Sequence, residues 1–230
     1  GADAFETPHQ SLGARGLRTL SSKLLLALYP PTGPNFRYQI DDIAVKKLTE
    51  DNGTRGEIEK ALDMRARAVK TEQENTKFRP VVFEAVRQLV GAGNYLLYIP
   101  EDPKEFPRGF RVDSYVVLRD AAGTVVTIIT KEKVAFGTLP PETQEAIMAS
   151  SDKGSSITAD DEFDIYTMVE LNERGKYDTY QEVEGHVVPG TEGTYPKDTM
   201  PYIALRFTAM DGESYGRSFV EEVHGDLLSL

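Results

Sequence analysis

Apolar residues in the first third of the chain recur at the spacing of amphipathic α-helices. The first helical face consists of Leu17, Leu20, Leu24, Ala27 and Leu28. Proline lacks a backbone N–H and restricts the residue before it, so Pro30 and Pro31 end this helix. A second helix is predicted over residues 57–74, after a turn at 51–53. Its buried stripe consists of Ile58, Leu62, Ala66 and Val69.

A third helix is predicted to start near Pro80, because proline suits the first helical turn. Its apolar face consists of Val82, Phe83, Val86, Leu89 and Val90. Gly93 and Asn94 both tolerate left-handed backbone geometry, so they end this helix.

The rest of the chain has the alternation and turn residues of β-strands. A short apolar run at 95–99 predicts a buried strand, and two hairpins are predicted at 111–130 and 164–183. The other predicted elements are a short helix at 140–148, a flexible stretch at 149–161, a strand at 202–207, a turn at 211–216 and a final helix from about Ser218. Because hairpins join consecutive strands, the predicted class is α+β with mostly antiparallel pairing.

These elements divide the chain into a mainly helical part at 1–94, a β-rich part at 95–217 and the start of a helix at 218–230. Charge changes along the chain in a similar way. Residues 1–115 contain 17 basic and 16 acidic side chains, whereas residues 116–230 contain 9 and 21. The first residue is not Met and the last helix has no stop signal, so we expect a fragment of a longer chain.

Composition excludes several classes of protein. The 230 residues are 40% hydrophobic and 27% charged, which is typical of a globular protein. The absence of cysteine excludes a disulfide framework, thiol catalysis and Cys-ligated metal sites, and three histidines leave little for a His-rich metal centre. The net charge of −11 argues against a protein that wraps duplex DNA. No run of apolar residues is long enough to span a membrane, and we predict neither a metal ion nor a cofactor.

One segment matches a nucleophile elbow, the G-x-S-x-G turn of many hydrolases. It runs from Gly212 through Ser214 to Gly216. Four residues separate it from the preceding strand, whereas an elbow follows its strand directly. The downstream His224 lies two residues before Asp226, so the pair cannot form a Ser-His-Asp triad with Ser214. We favour a turn that permits tight entry into the final helix, and predict no catalytic residue.

Two further groups of residues resemble ligand sites. The acidic cluster of Asp160, Asp161, Glu162 and Asp164 is of the type that binds Ca²⁺ or Mg²⁺, but it lacks EF-hand spacing, so a solvated strand entry is favoured. The Gly91-Ala92-Gly93 segment follows a helix instead of a strand, which argues against a dinucleotide site.

Two groups of basic residues mark the first two helices. They are Arg15, Arg18 and Lys23 on the first helix, and Arg65, Arg67 and Lys70 on the second. Each could contact phosphate or an acidic partner surface, but solvated helix faces are the favoured interpretation.

Seven segments in order resemble a known family. They are residues 7–17, 20–30, 83–94, 114–120, 135–140, 193–197 and 211–218. Together they are similar to the head–tail connector, or portal, proteins of short-tailed (podovirus) bacteriophages. The similarity extends over nearly all of the chain, and the least characteristic parts are residues 41–77 and 101–109.

The resemblance implies a structural virion protein without enzymatic activity, located at one capsid vertex and in the host cytoplasm during assembly. Its subunits would form a homo-oligomeric, typically dodecameric, ring through which double-stranded DNA is packaged and ejected without sequence specificity. Its partners would be the major capsid protein, the scaffold, the terminase motor, and the tail and internal core proteins. The chain would be the N-terminal, peripheral wing, with residues 218–230 leading to the channel-forming stem.

Two other functions stay open on the sequence alone. One is a stand-alone α+β binding module of unknown ligand, and the other is a hydrolase that uses Ser214. The resemblance also suggests a role for the uneven charge, because basic helices and an acidic C-terminal half could set the register of neighbouring subunits.

Overall fold

The computed structural model describes residues 11–39, 52–102, 105–150 and 156–228. The chain forms two compact units, of which unit 1 comprises Gly1–Arg87 and Asp102–Pro107 and unit 2 comprises Gln88–Glu101 and Arg108–Leu230. Helices and antiparallel sheets make up the described residues, so the predicted α+β class is confirmed. The division into a mainly helical part, a β-rich part and the start of a stem helix stays a prediction.

Unit 1 contains helices α1 (Leu12–Leu28) and α2 (Asn52–Asn75) and the first part of α3 (Phe78–Ala92). The predicted stripe of α2 is the less exposed face of that helix, but α2 begins at Asn52, inside the predicted turn. Helix α3 begins before Pro80, directly after Lys77, whose φ of +56° breaks the path of α2. The predicted α1 face is wrong at its end, because Ala27 and Leu28 are exposed and Ser21 is buried instead.

Tyr29 connects the three helices of unit 1. Its side chain is 1% exposed. The ammonium group of Lys70 on α2 lies 3.3 Å from the centre of the Tyr29 ring, and the guanidinium of Arg79 on α3 donates a 3.1 Å hydrogen bond to the Tyr29 carbonyl. The prediction that Lys70 decorates a solvated face is therefore wrong. Its long side chain is buried against an aromatic ring, and this burial lowers its pKa.

Unit 2 is built on two antiparallel sheets. The three-stranded sheet has the order β2-β1-β9, with β1 at Asn94–Tyr98, β2 at Arg108–Phe110 and β9 at Tyr202–Arg206. The six-stranded sheet has the order β3-β4-β5-β6-β7, and β8 pairs with β6. Its strands are β3 (Tyr115–Arg119), β4 (Val125–Ala135), β5 (Glu162–Leu171), β6 (Lys176–Val183), β7 (His186–Val187) and β8 (Gly193–Pro196).

The predicted strand at 95–99 and both hairpins are confirmed, whereas β2, β7 and β8 were not predicted. These three strands have two to four residues each, too few to show an alternation of apolar and polar positions. A 3₁₀ turn at Phe136–Thr138 precedes α4 (Pro141–Ser150), which matches the predicted short helix. Within the predicted flexible stretch, residues 151–155 lie outside the described residues.

Two hydrophobic clusters hold unit 2 together. The larger cluster joins the two sheets through Leu96, Phe110, Tyr115, Val117, Ile128, Val169, Tyr177 and Tyr202. The hydroxyl of Tyr177 donates a 2.6 Å hydrogen bond to the carbonyl of Val125, and burial raises its pKa. The smaller cluster packs the 3₁₀ turn and α4 against the other end of the sheet through Phe136, Leu139, Ile147, Val183 and Val188.

The last helix begins where the sequence predicts. Ser218 is its N-cap: its hydroxyl accepts a hydrogen bond from the Glu221 amide, and the Glu221 carboxylate accepts one from the Ser218 amide. Two short helices follow instead of one, α5 (Phe219–Glu222) and α6 (His224–Leu228), because Val223 leaves the helical path.

Candidate assembly surface

Ser214, the serine of the elbow-like segment, lies at the edge of a sheet. β3 is an edge strand, and edge strands carry backbone groups that no neighbouring strand satisfies. The hydroxyl of Ser214 accepts a 3.1 Å hydrogen bond from the Arg119 amide, and the hydroxyl of Tyr215 accepts one of 3.1 Å from the Val117 amide. Two successive side chains of the Gly-rich turn thus take the place of a strand neighbour, which explains the segment without catalysis.

Arg119, at the end of β3, binds the same Gly-rich turn through its side chain. Its guanidinium donates hydrogen bonds to three backbone carbonyls, those of Ser214 (3.2 Å), Gly123 (2.9 Å) and Ala204 (2.7 Å). Burial, and then the nearby Arg206, lowers the pKa of Arg119. A guanidinium has several donors in a fixed plane, so one side chain can bridge the hairpin turn, the Gly-rich turn and β9.

The two glycine motifs meet each other. The carbonyl of Gly93 accepts a hydrogen bond from the Phe207 amide, and a side chain at Gly93 would collide with the backbone of Arg217 and Ser218. Asn94 binds the backbone of Gly216 through both ends of its amide. The G-x-G segment is therefore the docking point for the start of the last helix, in agreement with the sequence argument against a dinucleotide site.

Lysines of the neighbouring strand pair with the predicted acidic cluster. The ammonium group of Lys131 lies 2.7 Å from the Asp164 carboxylate, and that of Lys133 lies 3.5 Å from the Glu162 carboxylate. Asp161 accepts a hydrogen bond from the amide of Thr158, which fixes the turn before β5. No three metal-ligating side chains lie together in the described parts of the chain. The cluster is a set of cross-strand ion pairs at a strand entry.

One face of the six-stranded sheet points away from the larger core, and we call it the outer sheet face. Side chains alternate across a strand, so directly paired residues share a face. The pairing places Val116, Ile129, Met168 and Tyr180 in one row across four strands, which we call the apolar row. All four are at least partly exposed, and Val116 is 58% exposed.

A second row beside the apolar row is acidic. It runs across the strands through Leu118, Thr127, Glu170, Asp178 and Thr194, and we call it the acidic row. Glu170 and Asp178 are direct cross-strand partners, and neither forms an ion pair with any residue that the structure describes. Leu118 is 54% exposed, so the apolar surface continues into this row.

The three basic residues of α1 are exposed, in agreement with the interpretation that they lie on a solvated helix face. Helix α1 carries Arg15, Arg18 and Lys23 and no acidic residue. None of the three forms an ion pair within the described ranges. On α2, by contrast, Arg67 pairs with Asp63 and Lys70 is buried.

The outer sheet face was not predicted from the sequence as a candidate surface. Strand β3 indicates this surface. Tyr115 and Val117 are buried, whereas Val116 and Leu118 are exposed, although all four are apolar. A strand with apolar residues on both faces needs a partner on each face. This pattern was readable from the sequence as a run of four apolar residues.

Neither unit has a helix, within its described residues, that is long and apolar enough to cross a membrane.

Comparison with known proteins identifies relatives over the whole chain. A family model described as bacteriophage head to tail connecting protein matches residues 1–230. The portal protein of Escherichia phage T7 is 43% identical over 98% of this chain, and that of Enterobacteria phage T3 is 42% identical over 98%. The portal protein of Enterobacteria phage SP6 is 29% identical over 95%. The chain spans 42% of the length of each of these three relatives.

Proposed function

This chain belongs to the bacteriophage head to tail connecting protein family, and from that premise we propose that it is part of a portal protein. In this role, identical copies form a dodecameric ring at one vertex of the capsid. Double-stranded DNA enters and leaves the head through the central channel of the ring. The chain acts as a structural component of the virion and catalyses no reaction.

The observation that carries this proposal is the extent of the similarity. The family match covers all 230 residues, and two portal proteins are more than 40% identical over 98% of the chain. Similarity of this extent includes both units, so the proposal concerns the whole chain and not one motif. The structural roles of Ser214 and Asn94 support it, because they explain the elbow-like segment and the G-x-G segment without an active site or a dinucleotide site.

The charge of the chain is compatible with a conduit for DNA. The net charge is −11, and a protein that binds duplex DNA tightly needs a basic surface that displaces counterions. A channel through which DNA slides gains nothing from such binding, because each phosphate contact would have to break as the DNA advances. We therefore propose contact with DNA that is weak and independent of sequence.

The proposed partners bind the ring at successive stages of virion assembly. The ring contacts the scaffold and the major capsid protein when the head forms, the terminase motor when DNA is packaged, and the tail and internal core proteins in the finished particle. Assembly takes place in the host cytoplasm. Within the subunit, residues 1–94 and 95–217 form the peripheral wing, and residues 218–230 lead towards the stem.

Antibody labelling of purified virions tests this function. Antibodies against residues 1–230 should label one vertex per particle, and a mutant virus without the gene should yield heads that lack DNA. Antibodies against the major capsid protein, which label the whole shell, are the control for access. Label that is absent from particles, together with normal packaging in the gene deletion, would contradict the proposal and favour a stand-alone binding module.

A further inference from the structure

The outer sheet face and the exposed side of α1 have complementary chemistry on one chain. We propose that the outer sheet face of one copy binds α1 of a second copy, in a head-to-tail contact between neighbouring subunits. This inference rests on the proposed ring and names the surfaces that join its subunits.

The acidic row places two like charges side by side in a single copy. Glu170 and Asp178 are paired directly across two strands, and like charges in such positions repel each other. Asn172 and Thr194 donate hydrogen bonds to the two carboxylate oxygens of Asp178, which lowers its pKa and keeps it ionised. A cation from a second copy would relieve the repulsion.

Helix α1 supplies such cations on a surface that also carries leucines. At about 100° per residue, Leu12, Arg15, Lys23 and Leu26 fall within an arc of about 80° on one side of the helix. Leu12 is 53% exposed and Leu26 is 55% exposed. The leucines lie beside cations that form no ion pair with a described residue, and this combination matches the apolar row beside the acidic row.

The dimensions of the two surfaces agree. Leu12 and Leu26 are fourteen residues apart, which corresponds to about 21 Å along a helix. The paired strands β3, β4, β5, β6 and β8 are separated by four gaps of about 4.8 Å, which makes the sheet about 19 Å wide. A helix that lies across the strands therefore covers the full width of the outer sheet face.

The proposed contact has the geometry that a ring requires. The two surfaces differ, and they belong to unit 1 of one copy and unit 2 of the next. A contact between two different surfaces leaves one of each free in any dimer, so it continues until the chain of subunits closes. A surface that paired with itself would stop at two copies.

Cysteine cross-linking tests the contact, because residues 1–230 contain no cysteine. The complete protein expressed from its gene should carry Leu26→Cys and Val116→Cys, with any cysteine outside residues 1–230 replaced by serine. Mild oxidation of the assembled protein should give a ladder of disulfide-linked multimers on a denaturing gel. Either substitution alone should give no ladder. A second pair, Leu12→Cys with Thr194→Cys on β8 at the far edge of the sheet, repeats the test should the first pair disturb assembly.

The outcomes separate this contact from the proposed function. Rings that form in reducing buffer but give no ladder with either pair would overturn the contact and leave the ring intact. A disulfide within one chain, seen as a faster monomer band, would overturn it as well. A parent protein that stays monomeric at the concentrations of assembly would overturn both the contact and the proposed function.

Charge reversal gives an independent readout of the same contact. Arg15→Glu with Lys23→Glu should raise the protein concentration needed for half-assembly about tenfold or more at low salt. Adding Glu170→Lys and Asp178→Lys to that variant should restore much of the loss, because the opposite charges face each other again. Lys60→Glu on α2, an exposed residue without an ion pair to the described residues, is the control for each single reversal, Arg15→Glu or Lys23→Glu. Equal losses in the control, or no restoration, would contradict the contact.

Discussion

The amide of Gly216 donates a 2.7 Å hydrogen bond to the side-chain oxygen of Asn94, and the Asn94 side-chain nitrogen donates a 2.9 Å bond to the Gly216 carbonyl. The Asn94 side chain thus forms two hydrogen bonds with the backbone of a residue 122 positions later in the chain, as a neighbouring strand would do. It is 5% exposed, so water does not compete for these bonds. The pair fixes the segment before the last helix to the start of β1.

Replacing Asn94 by alanine should destabilise unit 2. Asn94→Ala leaves two buried backbone groups of Gly216 without partners, which should lower the free energy of unfolding by about 2 to 4 kcal/mol. Asn94→Asp keeps the acceptor for the Gly216 amide, but its second oxygen lies against the Gly216 carbonyl, so it should lose about as much. Urea unfolding followed by circular dichroism measures both variants. A loss below about 1 kcal/mol in either variant would contradict the role of these two buried hydrogen bonds.

Gly93 should tolerate no side chain, for steric reasons beyond its backbone angle. A Cβ atom there would lie 2.7 Å from the backbone of Arg217 and Ser218. Gly190 has a similar positive φ, +80° against +75°, but open space around it. Gly190→Ala should therefore cost only about 1 kcal/mol of conformational strain, and Gly93→Ala should cost at least about 2 kcal/mol more. Equal losses in thermal unfolding would contradict the close contact.

Neither the parent protein nor Ser214→Ala should hydrolyse esters, and the variant should be slightly less stable. Its hydroxyl accepts a hydrogen bond from the Arg119 amide, whose loss should cost about 1 kcal/mol. A panel of p-nitrophenyl esters and urea unfolding measure the two effects. Ester hydrolysis by the parent protein that disappears in Ser214→Ala would support the hydrolase alternative and contradict this account.

Acid should weaken the ion pair between Lys131 and Asp164. A hydrogen bond from Lys131 lowers the pKa of Asp164, and the partnership raises the pKa of Lys131. The stabilisation by Asp164 is complete above its ordinary pKa and is lost as the pH falls through the lowered value. That by Lys131 is lost only in strong alkali, as the pH rises through its raised pKa.

Lys131→Met therefore tests the pair by its pH dependence. The stability difference between the parent and the variant should shrink from about pH 5 to about pH 2. Lys176→Met removes an exposed lysine that has no ion pair to the described residues, and its effect should change less with pH. NMR titration should place the pKa of Asp164 higher in Lys131→Met. A pKa of Asp164 that is the same in both proteins would contradict the pairing.

Local patterns were enough to predict the long elements of the fold. The buried strand β1 and the two hairpins have clear apolar alternation and turn residues, and Ser218 with Glu221 forms a capping box three residues apart. These signals lie within one element, so they do not depend on the rest of the fold. The apolar stripe of α2 is likewise a signal within a single helix.

The parts that sequence reasoning missed depend on contacts between distant segments. Lys70 is buried because Tyr29 lies forty-one residues earlier in the chain and next to it in space, and nothing around Lys70 in the sequence indicates this. The short strands β2 and β8 form because β1 and β6 offer free edges. Likewise, the two glycine motifs resemble a nucleophile elbow and a dinucleotide site, but tight packing between distant segments explains both.

The mass of the assembled protein distinguishes a portal ring from a single subunit. The complete protein, purified in low-salt buffer, should be measured by native mass spectrometry and imaged by electron microscopy. A portal protein should give one dominant mass that is an integral multiple of the subunit mass, in rings with a central channel. A protein that remains a single subunit, or forms only dimers, across the concentrations at which virions assemble would contradict the account.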